Sequence, residues 1–450
     1  MSANPVSSAR EAAFAALMAC ETRGAWCDQA VRSAAKKWAL PPRDAALAAR
    51  LCYGVVQNRI LLDFWIDSFS NLPAHKLDVP VRLSLRMGLY QLHFLDRVPD
   101  RAAVHESVEL ARRYCRNKGA AGMVNAVLRA FQRAGASPVP EREARLKKLS
   151  VLYSHPLPLV ELLAEELGDD VEPLLALNNT PADTVVQLNP LKTTRQALED
   201  ELRRTGVEVQ EHPWLEDCML VRGSGDLERL SPFLAGHFYV QDAAAKLCAL
   251  AAAPSPGSRV LDVCAAPGGK SFALGLSMKN QGEILARDLH GKKLRHIEAG
   301  AARLGLSCIC TAQADARCYQ PELDSAFDLV VADVPCSGLG IIRKKPDIRY
   351  KDLKDTEGLP AIQADILDCV SRYVRPGGTL LYSTCTVLRR ENQDVIASFL
   401  KKRSDFVLEP FGLPGPVGET EGQITLWPQI HGTDGFYIAK LRRANGWTEN

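Results

Sequence analysis

From about residue 236 onwards, the chain alternates short apolar runs with longer helical segments, and this order constrains its fold more than any other feature. The apolar runs have the length of buried strands, and the segments between them have the length of ordinary helices. Such an alternation is typical of a parallel sheet covered by helices on both faces. Residues 236–450 are therefore predicted to be an α/β domain with a doubly wound sheet, whose last strand, 436–443, is an edge strand.

Acidic and thiol side chains stand at the ends of these predicted strands. An aspartate ends each of four successive strands, and a cysteine follows each of two apolar runs. The residues are Asp262, Asp288, Asp315, Asp333, Cys336 and Cys385. Because the carboxyl ends of parallel strands meet at one edge, and open α/β sheets bind ligands there, these side chains are expected to face one cleft. The pattern predicts an enzyme with two thiols directed at a bound ligand.

The segment CAAPGGK (264–270) follows the first of these strands and is the candidate cofactor loop. It lacks the GxGxxG of dinucleotide-binding folds, and Cys264 stands where a P-loop needs glycine, so both phosphate-binding motifs fail. Gly268 and Gly269 still allow a ligand to approach the backbone closely, although two glycines also suit any tight strand-to-helix turn.

The acids after the next strands favour an adenosine ligand for this loop. Asp288 stands 26 residues after Asp262, close to the ~20-residue offset at which an acid reaches ribose hydroxyls. Asp315 is placed to accept from an adenine amino group, and Lys270 either contacts a cofactor carboxylate or faces solvent. Adenosine without a pyrophosphate fits best, which predicts S-adenosylmethionine as the cofactor. The predicted binding set is Cys264, Ala265, Ala266, Pro267, Gly268, Gly269, Lys270, Asp288, Asp315 and Asp333.

The N-terminal segment, residues 1–135, is predicted to be all helix and to bind RNA. It combines apolar residues at helical spacing with proline-containing breaks near residues 41, 73 and 99. It carries 19 Lys and Arg against 11 Asp and Glu, a net charge of +8. The following 105 residues, 136–240, carry 10 against 18, a net charge of −8. A basic helical segment favours a polyanionic partner, although each single arginine there also suits a solvated helix face.

The predicted domains are residues 1–138, 139–235 and 236–450. The second begins with a Pro-rich and charged linker at 136–150, and continues with a helix at 157–168 and a strand, helix and strand at 184–210. This order predicts a small α+β module that carries no catalytic group of its own.

Cysteine usage and hydropathy suggest the compartment. The chain has 13 cysteines, an odd number, with no CxxC pair, so neither a disulfide framework nor a structural metal is expected. No apolar run approaches the ~20 residues that span a bilayer, and the N-terminus lacks the pattern of a secretory signal. We expect a cytoplasmic protein with reduced thiols, no metal and no membrane contact.

The motifs together resemble the Nop/Sun family of RNA cytosine-5 methyltransferases. The matching segments are DVCAAPGGK, DVPCSGLG (333–340), RKKPDIRY (343–350), STCT (383–386) and HGTDGFYIAKLRR (431–443). GMVNAVLRAF and the helices before it resemble the NusB-like RNA-binding domain, so the whole chain is similar to the bacterial RsmB (Sun/Fmu) branch. It departs from the family pattern in having Thr386 after the second cysteine and Gln187 where arginine is common.

This resemblance implies a Rossmann-like methyltransferase domain behind a NusB-like domain, acting as a monomer on 16S rRNA. Cys385 would attack C6 of the cytosine, Cys336 would serve release of the product, and Asp333 would hold or protonate the N3 and amino edge of the base. A neutral thiol is a weak nucleophile, so the site must favour the thiolate of Cys385. Arg343, Lys344, Lys345 and Arg349 would line an RNA groove, or form a solvated run of charges.

Three alternatives stay open on the sequence. The substrate is another RNA such as tRNA, the chain is a non-catalytic RNA-binding or antitermination factor, or it is a P-loop-like ATPase. Cysteines often serve as small buried hydrophobic residues. A non-catalytic RNA-binding factor would require both Cys336 and Cys385 to have only this packing role.

Overall fold

The computed structural model describes residues 8–135, 137–223 and 225–445. The chain divides into two compact units: residues 1–180 with 342–351, and residues 181–341 with 352–450. None of the helices in the described ranges combines the length and the hydropathy of a membrane-spanning segment.

The first unit is built from helices, as the sequence predicts. Prolines stand at the start of three of them: Pro42 is the first residue of α3 (Pro42–Gln57), Pro99 caps α6 (Asp100–Tyr114) and Pro156 caps α9 (Leu157–Leu167). Proline suits these positions because a first-turn N–H has no partner within the helix. The helices are α1 (Ser8–Arg23), α2 (Cys27–Lys37), α3 (Pro42–Gln57), α4 (Arg59–Phe69), α5 (Val79–Phe94), α6 (Asp100–Tyr114), α7 (Ala120–Ala134), α8 (Arg145–Leu152), α9 (Leu157–Leu167) and α10 (Val171–Leu177).

The predicted linker at 136–150 is wrong in its second half, which forms the start of α8. Leu146, Leu149 and Leu152 recur at helical spacing, and Leu149 is buried. These leucines give α8 one apolar face. The charged residues between these leucines make the segment polar on average, so its composition alone does not indicate a helix.

The segment 342–351 belongs to the first unit, although its neighbours in the chain belong to the second. Arg349 anchors it, with a side chain only 1% exposed. Its guanidinium donates to the carbonyl oxygens of Gln57 and Ser154 at 3.0 and 3.1 Å, and to Oδ1 of Asn179 at 2.9 Å. Burial lowers the pKa of Arg349 to about 10. The prediction that Arg349 lines an RNA groove is wrong, because buried acceptors of the first unit occupy its donors.

Replacing Arg349 by methionine is expected to lower the free energy of unfolding by about 3 kcal/mol or more, because several buried acceptors lose their donor at once. Denaturant unfolding of the full chain measures this. Lys345→Met makes the same change at an exposed position four residues away, and it should alter stability by less than about 0.5 kcal/mol. Equal stability of the two variants would contradict the anchoring role.

The second unit begins with the predicted α+β module. Its antiparallel sheet has the strand order β2-β3-β1-β4. The strand, helix and strand expected at 184–210 are confirmed. The elements are β1 (Thr184–Leu188), α11 (Arg195–Arg204), β2 (Glu208–Glu211), β3 (Cys218–Arg222), α12 (Ser231–Leu234) and β4 (Phe238–Val240).

The remainder of the second unit is the predicted doubly wound α/β fold. Its main sheet has the order β10-β14-β9-β8-β5-β6-β7, in which β9, β8, β5, β6 and β7 are mutually parallel. The elements are α13 (Ala243–Ala252), β5 (Arg259–Asp262), α14 (Gly269–Ser277), β6 (Glu283–Asp288), α15 (Gly291–Leu304), β7 (Ile309–Gln313), β8 (Phe327–Asp333), α16 (Leu359–Val370), β9 (Val374–Thr384), α17 (Gln393–Lys402), β10 (Phe406–Leu408), β11 (Phe411–Leu413), β12 (Gly418–Thr420), β13 (Gln423–Leu426), α18 (Pro428–His431) and β14 (Phe436–Arg443).

The prediction that 436–443 forms an edge strand is wrong. β14 pairs antiparallel with β9 on one side and with β10 and β13 on the other. β10 and β13 have only three and four residues. Strands this short carry too little alternation to be recognised in a sequence.

The sheet is buried on both faces. Neighbouring residues of β5 point to opposite sides, so Val260 packs in one core and Leu261 in the other. Leu274 of α14 belongs to the first core and Leu367 of α16 to the second. With both faces covered by helices, the carboxyl edge of the sheet is the place for a ligand.

Candidate active site

Three strands end on aspartates that the sequence singles out. β5 ends at Asp262, β6 at Asp288 and β8 at Asp333, while Asp315 lies two residues beyond the end of β7. The four strands are parallel. The structure therefore brings the predicted acids to one edge of the sheet.

The CAAPGGK loop turns sharply from β5 into α14, and Gly268 makes that turn possible. Its φ is +110°, and a Cβ there would lie 2.5 Å from the ring of Phe272. A side chain would therefore be strained and would clash. The N–H of Gly268 donates to the carbonyl of Ala265 at 2.7 Å. The first N–H groups of α14 have no partners within the helix, so they can receive a ligand.

Asp288 supports this loop from the neighbouring strand. Its Oδ2 accepts from the N–H of Ala266 at 3.3 Å, and its Oδ1 accepts from the N–H of His290 at 2.9 Å. A carboxylate has about four acceptor positions. Asp288 can therefore hold the loop and still accept from a ribose hydroxyl.

Asp315 is held by Arg317. The guanidinium donates to Oδ2 at 2.7 Å, and the backbone N–H of Arg317 donates to Oδ1 at 2.9 Å. These hydrogen bonds lower the pKa of Asp315. An adenine amino group would share this carboxylate with Arg317.

Lys270 forms an ion pair with Asp333 and does not face solvent. Its Nζ lies 2.6 Å from Oδ2 of Asp333, and the hydroxyl of Ser383 donates to Oδ1 at 2.8 Å. Burial alone would lower the pKa of Lys270, but the charge of Asp333 and its neighbours outweighs burial and raises the pKa above its usual value. The site therefore contains a largely buried ammonium group that is paired with a carboxylate.

Asp262, for which the sequence indicates only a place at a strand end, differs from Asp333. It is fully buried, and its Oδ2 accepts from the hydroxyl of Ser271 at 2.7 Å. Burial raises the pKa of Asp262 to about 7. Asp333 is thus paired with a lysine, whereas Asp262 keeps its proton up to nearly neutral pH.

Cys336 and Cys385 lie side by side, with their Sγ atoms 3.3 Å apart. The hydrogen bond from the Cys336 thiol lowers the pKa of Cys385, although burial acts in the opposite direction. The same contact, together with burial, raises the pKa of Cys336. Both residues are partly exposed rather than fully buried. The contact therefore favours the thiolate form at Cys385 and the protonated form at Cys336.

Backbone contacts tie the two cysteine loops together. The N–H of Gly340 donates to the carbonyl of Cys385 at 3.0 Å, and the N–H of Gly435 donates to the carbonyl of Gly340 at 2.8 Å. A Cβ on Gly340 would lie 1.9 Å from the carbonyl oxygen of Gly435, so only glycine fits there. The hydroxyl of Ser337 donates to Oγ1 of Thr386 at 2.8 Å. Thr386 thus supplies a hydroxyl acceptor that links the two loops.

Glu391 is a residue of this site that the sequence reading misses. It is buried, and its Oε2 accepts from the N–H of Ser337 at 2.9 Å and from Nε2 of Gln363 at 3.0 Å. Its charge also contributes to the raised pKa of Cys336. Glu391 holds the loop that carries Cys336. Its place in the polar stretch after Cys385 is the only signal in the sequence, and it is too weak to assign this role.

Comparison with known proteins places the chain in a family. Family models match residues 7–133 (NusB family), 155–228 (RsmF/B-like methyltransferase, ferredoxin-like domain) and 249–442 (16S rRNA methyltransferase RsmB/F). The probable ribosomal RNA small subunit methyltransferase B of Bacillus subtilis is 36% identical over 446 residues, which cover 97% of this chain and 99% of the relative. The chain belongs to the RsmB family of ribosomal RNA methyltransferases.

Other similar proteins agree with this family. The ribosomal RNA small subunit methyltransferase B of Erwinia tasmaniensis is 34% identical, covering 89% of this chain and 90% of the relative. The crystal structure of PH0851 has a TM-score of 0.80 and 26% identity, covering 98% of this chain and 99% of that one. The predicted family, its NusB-like domain and its methyltransferase fold are confirmed, and the α+β module is ferredoxin-like. An RsmB-family chain is a small-subunit rRNA methyltransferase, so the antitermination and ATPase alternatives are not supported.

Proposed function

We propose that this protein transfers a methyl group from S-adenosylmethionine to C5 of a cytosine in 16S rRNA, through a covalent bond between Cys385 and C6 of the base. The observation that carries the proposal is the thiol pair, 3.3 Å apart, in a site that also holds the Lys270–Asp333 ion pair. The domain division, the cytoplasmic location and a monomeric state remain predictions.

The chemistry needs a thiolate because C5 of cytosine is a poor nucleophile. Addition of the Cys385 sulfur to C6 pushes the ring electrons towards C5, which can then attack an electrophilic carbon. Release requires that the C5 proton leave to a base, that the C6–S bond break and that the ring double bond re-form. Cys336, hydrogen-bonded to Cys385, is placed to take up the C5 proton as its own proton passes to the departing sulfur of Cys385.

Asp333 is suited to hold the target base rather than to protonate it. Its oxygens accept from Lys270 and Ser383 at 2.6 and 2.8 Å. These contacts stabilise a carboxylate that accepts further hydrogen bonds. The amino group of cytosine is such a donor, so Asp333 would orient the base with C6 towards Cys385.

The loop residues fit S-adenosylmethionine, which supplies an electrophilic methyl group when bound. Gly268, with a φ of +110°, makes the turn from which α14 begins, so the first N–H groups of that helix are available to a ligand. Asp288 keeps acceptor capacity for ribose hydroxyls, and Asp315 is placed for the adenine edge. The remaining predicted contacts come from Cys264, Ala265, Ala266 and Pro267 along the same turn, whereas Lys270 serves the site mainly through Asp333.

The whole proposal is tested by bisulfite sequencing of RNA from cells that carry, lack, or are complemented with the gene. We expect one 16S rRNA cytosine to lose its protection in the deletion strain and to regain it with the wild-type gene but not with a Cys385→Ala gene. Loss of protection only in a tRNA, or in no RNA, would contradict the proposed substrate.

Replacing Asp288 by alanine is expected to weaken S-adenosylmethionine binding by about 1.5–3 kcal/mol, because a buried charged acceptor is lost. Calorimetry on the RNA-free protein measures the affinity. Asp355→Ala removes an exposed acid and should leave the affinity unchanged. The assignment of Asp288 fails if both folded variants bind with wild-type affinity.

A further inference from the structure

Gln241, which directly follows β4, carries a buried donor without an acceptor. Its side chain is 7% exposed, and its Nε2 has no hydrogen-bond partner among the described residues. The carbonyl end of the same amide accepts weakly from the hydroxyl of Tyr239 at 3.4 Å. Leaving a buried donor unsatisfied destabilises a fold, so such a group calls for an explanation. An acceptor supplied by a ligand is one.

The backbone of Gln241 is fixed on both sides. Its N–H donates to the carbonyl of Val185 at 3.2 Å, and its carbonyl accepts from Nε2 of Gln187 at 3.0 Å. Gln187 is itself fully buried, and its Oε1 accepts from the thiol of Cys218 at 2.7 Å. Gln187 thus serves a structural role here. The backbone of Gln241 is thus held in place by β1 of the ferredoxin-like module.

The free Nε2 lies beside the N-terminus of α14. A Cβ on Gly269, the first residue of that helix, would lie only 3.2 Å from it. The first N–H groups of a helix have no internal partners and carry partial positive charge, so they favour anions. Nε2 of Gln241 and the first N–H groups of α14 therefore lie close together, and both favour a negatively charged acceptor.

Neighbouring side chains do not satisfy these donors. The ammonium of Lys270 is paired with Asp333. The carboxylate of Asp242 caps α13 by accepting from the N–H of Ala244 at 2.8 Å, and it also accepts from the N–H of Asp434 at 3.2 Å. The donors at this corner are therefore open to an anion supplied by a ligand.

We infer that Nε2 of Gln241 and the N-terminus of α14 bind the carboxylate of the amino-acid part of S-adenosylmethionine. The inference rests on the proposed function, because it assumes that this cofactor occupies the CAAPGGK loop. It reassigns to Gln241 the carboxylate contact for which the sequence suggested Lys270. It also gives the ferredoxin-like module a supporting part in the cofactor site, because β1 of that module holds the backbone of Gln241.

Calorimetry on the RNA-free full chain tests this with two probes, S-adenosylmethionine and its decarboxylated analogue. Gln241→Leu should weaken S-adenosylmethionine binding by about 10- to 100-fold, the range for a hydrogen bond to a charged group. The analogue lacks the carboxylate, so its affinity should change by less than about threefold. The isosteric Gln241→Glu places a negative charge beside the carboxylate, so it should weaken S-adenosylmethionine at least as much. Gln196→Leu makes the same change on the exposed face of α11 and should alter neither affinity.

The outcomes separate the inference from the proposed function. If the wild-type protein binds neither probe, the cofactor assignment fails and the inference fails with it. If the wild type binds S-adenosylmethionine but Gln241→Leu weakens both probes equally, or neither, the carboxylate contact is wrong while the cofactor stands. Binding of the analogue by each variant shows in the same experiment that the site is still folded.

Discussion

Replacing Cys385 by alanine is expected to abolish methyl transfer, lowering the single-turnover rate by at least about 10⁴-fold. In the proposed mechanism the thiolate of Cys385 attacks the base, and the 3.3 Å contact with Cys336 lowers its pKa. The measurement uses labelled S-adenosylmethionine and small-subunit rRNA under single-turnover conditions. Cofactor affinity should be unchanged, which serves as the control for folding.

Replacing Cys336 instead should trap the reaction after attack. Without the Cys336 thiol, the methylated base should not be released from Cys385. A covalent protein–RNA adduct should therefore accumulate and appear as a slowly migrating band on denaturing gels. The double variant Cys336→Ala, Cys385→Ala should give no adduct. Normal turnover by Cys336→Ala, or an adduct that survives loss of Cys385, would contradict the assigned roles.

Replacing Lys270 by methionine is expected to lower both the stability of the fold and the rate of methyl transfer. Asp333 loses the cation 2.6 Å away, so the free energy of unfolding should fall by about 3 kcal/mol. The charge of Lys270 also helps to lower the pKa of Cys385. Without it that pKa rises, less thiolate exists at neutral pH, and the acid limb of the pH–rate profile moves to higher pH. At pH 7 we expect transfer to be at least about 100-fold slower.

Two variants make this test specific. Lys270→Arg keeps the charge and should keep the acid limb close to that of the wild type. Lys401→Met removes an exposed lysine from the end of α17 and should change neither stability nor rate. An acid limb that does not move in Lys270→Met would show that Lys270 acts on Asp333 alone.

Much of this architecture follows from the sequence alone. Apolar runs of strand length, separated by helical segments, specify a parallel sheet, and parallel strands present their carboxyl ends at one edge. Asp288, Asp333, Cys336 and Cys385 could therefore be assigned to one cleft from their positions after those runs. The local pattern also predicted the helices of the first unit, whose prolines stand where helices begin.

Only the tertiary structure decided which of these groups meet. Lys270 pairs with Asp333, Arg349 is buried among carbonyl oxygens instead of facing RNA, and β14 lies inside the sheet. Gln241, whose backbone is held by β1, lies beside the CAAPGGK loop. Each of these contacts joins residues far apart in the chain. Their partners depend on strand register and side-chain packing, which the periodicity of a single segment does not encode.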